Sequence, residues 1–285
     1  MKKVLSSRWM LIISMAIFGT LGPFVRNITV SSGELALYRA ILALVLIGAV
    51  LFVTKQNISF ANIKKELPLL LASGVAMGFN WILLFEAYKY TTVSVATLSY
   101  YFAPVIVIIV CPILFKERLT RKQLICFVMS TLGIVLITGI GMVGNGKDII
   151  GICFGLGAAV LYATVILLNK YIKKVEGLQR TFWQFISVVL VLIPYVMMTS
   201  GITLKNLNTL GWINLLIVGF VHTGLTYCMY FSSLKELPGQ KAAILSYIDP
   251  LVAVLISIIV LGESMSLGQI VGGILIMGFT LWNEI

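Results

Sequence analysis

Ser99-Tyr100-Tyr101-Phe102-Ala103-Pro104 is followed, thirteen residues after its proline, by Glu117; Leu245-Ser246-Tyr247-Ile248-Asp249-Pro250 is followed, thirteen residues after its proline, by Glu263. Pro104 and Pro250 stand 146 positions apart. The same offset pairs Phe85 with Phe231, Lys89 with Lys235, Ala96 with Ala242, Tyr101 with Tyr247, Glu117 with Glu263 and Gln123 with Gln269. Apolar runs match one another by chance, but the Pro, Glu, Gln and Lys matches do not come from hydrophobic bias. The chain reads as an internal duplication.

The surroundings of the two segments say what is duplicated. Of the 285 residues, 60% are hydrophobic and 11% charged, against about 25% charged in a soluble domain. The mean hydropathy is +1.05. A water-soluble enzyme and a disordered chain are both excluded. A membrane helix needs about 20 apolar residues. Breaks at charged, Gly and Pro clusters delimit ten such runs, near 9–27, 34–54, 67–88, 92–115, 122–141, 149–169, 181–200, 208–231, 241–261 and 267–283. The runs are continuous rather than alternating, which argues against a β-barrel. The expected fold class is all-α integral membrane, with ten transmembrane helices as two inverted five-helix repeats, 1–146 and 147–285. Five is odd, so the second repeat enters from the opposite side. Secondary transporters are commonly built this way, with a site between the halves.

Charge gives an independent check. With the N-terminus in the cytoplasm, 16 of the 21 Lys and Arg fall on the cytoplasmic side and 4 on the other, with Arg39 inside a span. A missed helix would scramble that split. The expected location is the cytoplasmic (inner) membrane, multi-pass, with both termini cytoplasmic. The net charge of +11 is then an orientation signal and implies no nucleic-acid partner. The apolar run from Trp9 to Val25 is read as a first helix, not a cleaved signal peptide, because no small-x-small site follows it. Cys111, Cys126, Cys153 and Cys228 lie in apolar runs without CxxC spacing, so no metal site and no cofactor are expected.

These features resemble the drug/metabolite transporter superfamily, specifically its ten-helix EamA-type members. The matching residues are Tyr101-Phe102-Ala103-Pro104 through Glu117-Arg118-Leu119, Tyr247-Ile248-Asp249-Pro250 through Gly262-Glu263, and the glycines Gly133 and Gly268 to Gly278. The resemblance covers nearly the whole chain. It implies alternating access by the two halves and leaves the cargo open, since such proteins carry amino acids and other metabolites.

Ionisable groups inside spans are costly and face a cavity or a partner. Asp249, in the middle of the ninth run, suits a cation, a proton or a substrate amine, or a structural pairing with Arg39 or His222. Arg39 suits a substrate carboxylate or an internal acid, or snorkels to the interface. Glu86, near the outer end of the third run, suits a gate or an ion pair with Arg39, or is an interfacial acid. His222, the only histidine, suits proton coupling or a hydrogen-bonded structural role. Asn80, Trp81, Tyr100, Tyr101, Trp183, Gln184, Tyr227 and Tyr247 are candidates for lining an amphiphilic pocket. Pro104, Glu117, Pro250 and Glu263 are expected to act structurally at helix ends. Gly74 with Gly78, Gly151 with Gly155, and Gly268 with Gly272 permit close helix approach.

The leading expectation is a non-enzymatic secondary transporter exporting small amphiphilic metabolites such as amino acids. Its partners are a small-molecule substrate and the lipid bilayer, with proton or exchange coupling left open. The alternatives are multidrug or toxic-cation efflux, and a non-transporting membrane scaffold or sensor.

Overall fold

A computed structural model describes residues 7–55, 60–115, 120–138, 146–175, 177–234 and 245–285. Glu117 lies outside the described residues. The described chain is all-α. In order, the helices are α1 (Ser7–Gly19), α2 (Leu21–Arg26), α3 (Ser32–Val53), α4 (Phe60–Tyr90), α5 (Val93–Tyr100), α6 (Ala103–Phe115), α7 (Arg121–Thr138), α8 (Gly146–Tyr171), α9 (Gly177–Thr199) and α10 (Thr209–Leu216). A π-helical segment, Ile217–Leu225, then leads into α11 (Thr226–Leu234), followed by α12 (Ile248–Ile259) and α13 (Leu267–Glu284). Among the described residues, six helical stretches are long and apolar enough to cross a membrane: Ser7–Arg26, Ser32–Val53, Asn62–Tyr90, Gly146–Tyr171, Gly177–Thr199 and Thr209–Ser233. The protein is a multi-pass integral membrane bundle.

Local chemistry sets the helix starts. Ser31 accepts from the Glu34 amide, and the Glu34 carboxylate reaches back to Ser31 N, closing a capping box on α3. The two glutamines at the 146-residue offset do the same work. Gln123 Oε1 accepts from Thr120 N at 2.8 Å and Gln269 Oε1 from Ser266 N at 2.9 Å. Thr120 and Ser266 return the bond to the glutamine amides at 3.2 Å. The matched glutamines are therefore N3 residues that satisfy orphan amides at the starts of α7 and α13.

The matched prolines also start helices. Pro104 is the second residue of α6 and Pro250 the third of α12. A first-turn proline lacks an N–H that the helix would leave unpaired anyway. Asp249, in the middle of the ninth run, stands in the first turn of α12, where Pro250 favours a helix start.

Packing relies on small residues, as expected where lipid removes the hydrophobic drive between helices. A Cβ on Gly74 of α4 would lie 2.5 Å from Gln184 O and Ser187 Cβ of α9, and one on Gly151 of α8 would lie 2.6 Å from Thr91 Cγ2. α4 packs on α8 and α9, α3 on α9 and the π segment, α7 on α13, and α1 on α11 and α12; α8 also covers α5 and α6, and α5 meets α12. Phe85, Phe185, Leu192 and Leu215 are buried in the largest core cluster, while Leu190 and Ile274 face outward, at 60% and 64% exposure. An outward apolar surface is the normal face toward lipid.

Candidate functional site

The helix breaks between α5 and α6 and before α12 open a central cavity of about 680 Å³. Seven of the ten expected substrate or coupling residues line it: Arg39, Trp81, Tyr101, Gln184, Tyr227, Tyr247 and Asp249. Pro104 lines it too; Pro250 and Glu263 do not.

Arg39 is held from three sides. Its Nε donates to Thr223 Oγ1 at 3.0 Å, and its guanidinium carbon lies 4.2 Å from the Trp81 ring centroid and 5.3 Å from that of Phe85. At 3% exposure it does not snorkel to the interface. Thr223 is positioned by the π segment, where its hydroxyl donates to Val218 O, five residues back, at 2.7 Å. The π segment in turn lies tightly on α3: a Cβ on Gly219 would meet Leu42 Cδ1 at 2.4 Å. Sequence periodicity gave no sign of this segment. π-turns inside helices recur at functional sites.

Asp249 accepts from the Tyr101 hydroxyl at 2.6 Å through Oδ2. Among the described residues, no Lys, Arg or His lies within salt-bridge distance of Asp249, and no Asp or Glu within that distance of Arg39. The expected structural pairings of Asp249 with Arg39 or His222 are not formed.

Aromatic side chains make up much of the wall. Tyr100 stacks on Tyr162 at 5.1 Å and meets Tyr101 edge-on at 5.7 Å; Tyr227 meets Phe18 edge-on at 5.4 Å. Seven of the chain's eleven tyrosines line this one cavity. Tyr88, Tyr162 and Tyr230 among them carry no repeat match. Toward one end, Gln184 Nε2 donates to Ser73 Oγ and to Asn169 Oδ1, both at 2.7 Å. Asn169 also lines the cavity.

Three expected site residues lie elsewhere. Asn80 Nδ2 donates to Ala158 O at 2.6 Å and ties α4 to α8. Glu86 pairs with Lys89 at 2.9 Å, one helical turn on. His222 is buried, with Nε2 3.0 Å from Thr20 Oγ1 and its ring 4.8 Å from that of Phe24. It braces the α1–α2 break against the π segment. Trp183, also a candidate, packs with Phe182 away from the cavity. Among the described residues there is no cluster of His, Cys, Asp or Glu able to hold a metal ion.

The model of the EamA-like transporter family matches the chain twice, over residues 5–139 and 149–283. The chain belongs to the EamA-like transporter family. The EamA-like relatives include the uncharacterized transporter YxxF of Bacillus subtilis, 30% identical over 93% of this chain and 85% of that one. A probable amino-acid metabolite efflux pump of Salmonella typhimurium is 25% identical over 76% of each chain. A solved crystal structure superposes with a TM-score of 0.66 over 97% of each chain at 13% identity, and so shares the fold. As an EamA-like transporter, the protein moves small molecules across a membrane. Its cavity offers a guanidinium, a carboxylate and an aromatic wall, a combination that suits a ligand with both charges and an apolar body.

Proposed function

We propose that this transporter exports small amphiphilic metabolites, amino acids first, across the cytoplasmic membrane. The observation that carries the reading is the pair Arg39 and Asp249, which line one cavity while neither holds a counter-charge among the described residues. A buried ion without a counter-charge is costly. A zwitterionic cargo would supply both partners at once, its carboxylate to Arg39 and its amine to Asp249. The tyrosine wall suits an apolar side chain with polar contacts at its edge. The Salmonella relative is consistent with this cargo class.

The proposed architecture is ten spans in two inverted repeats, 1–146 and 147–285, with both termini cytoplasmic. The 146-residue offset and the 16-to-4 charge split support it. So does the doubled family match. The packing gives further support, because its pairs exchange when each apolar run is replaced by the run five along. The third run on the sixth (α4 on α8) answers to the eighth on the first (α11 on α1). The fourth on the sixth (α5 and α6 on α8) answers to the ninth on the first (α12 on α1). The second and seventh, fourth and ninth, and fifth and tenth pair with each other.

Untargeted metabolite profiling of medium and cytosol tests the cargo, with wild type, D249N, R39Q and empty vector at matched membrane abundance. A zwitterion that accumulates outside only with wild type is the expected result. Full export by D249N or R39Q would overturn the reading. A second reading, efflux of organic cations, is favoured by the tyrosines around Asp249. It predicts loss in D249N and retention in R39Q, so one experiment separates the two.

A further inference from the structure

Among the described residues, the lining of the central cavity runs from the exposed Lys170 near one end of the bundle to the buried Leu21 and Tyr88 toward the other. Glu66, early in α4, accepts the backbone amides of Lys173, Lys174 and Val175 at 2.8–3.0 Å. Tyr88, late in α4, is 22 residues on, which at 1.5 Å per residue places the two ends about 33 Å apart. The cavity reaches Lys170, Gln123 and Asn283 at the Glu66 end. At the other end it stops beneath Leu21 and Tyr88.

Above that roof, Arg26 ends α2 and Glu263 follows α12. Arg26 Nη1 forms an ion pair with Glu263 Oε1. Arg26 Nη2 donates to Thr91 O at 3.0 Å and to Tyr88 O at 3.5 Å. Glu263 Oε2 accepts the Val93 amide at 2.9 Å, capping α5, and also the Ser257 hydroxyl. One carboxylate and one guanidinium thus join α2, the α4–α5 turn, α5 and α12. Tyr88 belongs to both assemblies: its side chain lines the cavity and its carbonyl receives Arg26.

We propose that the Arg26–Glu263 pair, with the Val93 amide and the Ser257 hydroxyl, is the gate that seals this end of the cavity, and that it must part for the cavity to open there. Arg26 and Val93 belong to the first repeat and Glu263 to the second, so relative motion of the halves separates them. The Arg26 side chain is 33% exposed. The Glu263 side chain is 8% exposed, so removing either partner leaves the other charge unpaired and the closed arrangement weakened. The inference rests on the chain being a transporter and is independent of its cargo.

Pulsed electron–electron spin resonance on the full chain in lipid nanodiscs tests it without a ligand. Spin labels go on Asn27→Cys and Ser264→Cys, in a background with the four native cysteines changed to serine. Wild type is expected to give mainly the short distance across this end. Glu263→Gln, and independently Arg26→Gln, should raise the ratio of long to short distances about tenfold, the factor given by about 1.4 kcal/mol of lost attraction. Lys89→Gln removes the neighbouring Glu86–Lys89 pair and should leave the ratio unchanged. The proposal is overturned if both gate variants, eluting and melting as folded protein, match wild type. It is equally overturned if Lys89→Gln widens this end as much as they do.

Discussion

Replacing Thr223 with valine keeps the side-chain volume and removes one oxygen. That oxygen accepts from Arg39 Nε at 3.0 Å and donates to Val218 O at 2.7 Å. In a soluble protein a hydrogen bond to a charged group contributes about 1.5–3 kcal/mol. Interhelical polar bonds in membranes average about 0.6 kcal/mol and reach about 1.7. Arg39 is buried and its guanidinium stays over Trp81 in the variant, so the upper membrane value is the better guide: about 1.5 kcal/mol. At roughly 2–4 °C per kcal/mol for chains of 150–250 residues, the melting temperature should fall by about 3–6 °C. The assay is thermal unfolding followed by tryptophan fluorescence in a fixed detergent. T223S, which keeps the hydroxyl, should melt near wild type. A double-mutant cycle with R39Q isolates the pair, because T223V should cost much less once the guanidinium is gone. Equal losses for T223V in the wild-type and R39Q backgrounds would refute the assignment of Thr223 as the anchor of Arg39.

Three further outcomes are expected. Y101F removes the donor to Asp249 and should lower export of the cargo identified by profiling, though less than D249N, as measured by initial efflux rates from preloaded cells. G151A drives a Cβ onto Thr91 and should destabilise by about 1–3 kcal/mol, whereas G146A, with open space around its Cβ position, should leave the melting curve unchanged. E66A strips the acceptor from three consecutive backbone amides, and hydrogen exchange at Lys173, Lys174 and Val175 should accelerate while exchange in α3 stays the same.

Some of this was legible in the sequence and some was not, for identifiable reasons. The duplication was visible because Pro104, Pro250, Gln123 and Gln269 start helices, and helix starts demand particular residues at particular positions. Arg39 and Asp249 stood out because a charge in an apolar run needs a reason, and both line the cavity. Asn80 and Glu86 stood out for the same reason, yet a polar group in a span is equally well satisfied by a neighbour's carbonyl or by the next turn of its own helix. Composition cannot separate those fates. Tyr88, Tyr162 and Tyr230 were hidden because they carry no repeat match and polar residues of their runs, such as Glu86 and His222, face elsewhere than the cavity. The π segment was hidden too, since one extra residue per turn leaves no mark in an apolar run. The Arg26–Glu263 contact joins residues far apart in the chain, so only the fold brings them together.

The break between α5 and α6 has a consequence for how the protein is made. At 1.5 Å per residue, the eight residues of α5 and the thirteen of α6 reach about 12 Å and 20 Å, each short of a bilayer of about 30 Å. In the ten-span architecture proposed above they enter together as the fourth span, joined at Tyr101 and Phe102, whose amides stay bonded within the segment, to Thr97 O at 2.9 Å and Ser99 O at 3.2 Å. Two of the elements packed on the pair, α8 and α12, are synthesised later, whereas α4 precedes it and α7 follows it directly. A chain synthesised only as far as residue 146 leaves the sides of α5 and α6 that meet α8 and α12 uncovered until residues 147–285 follow. Cells supplied with the two repeats as separate polypeptides should lose the first one to quality control unless the second is made alongside it.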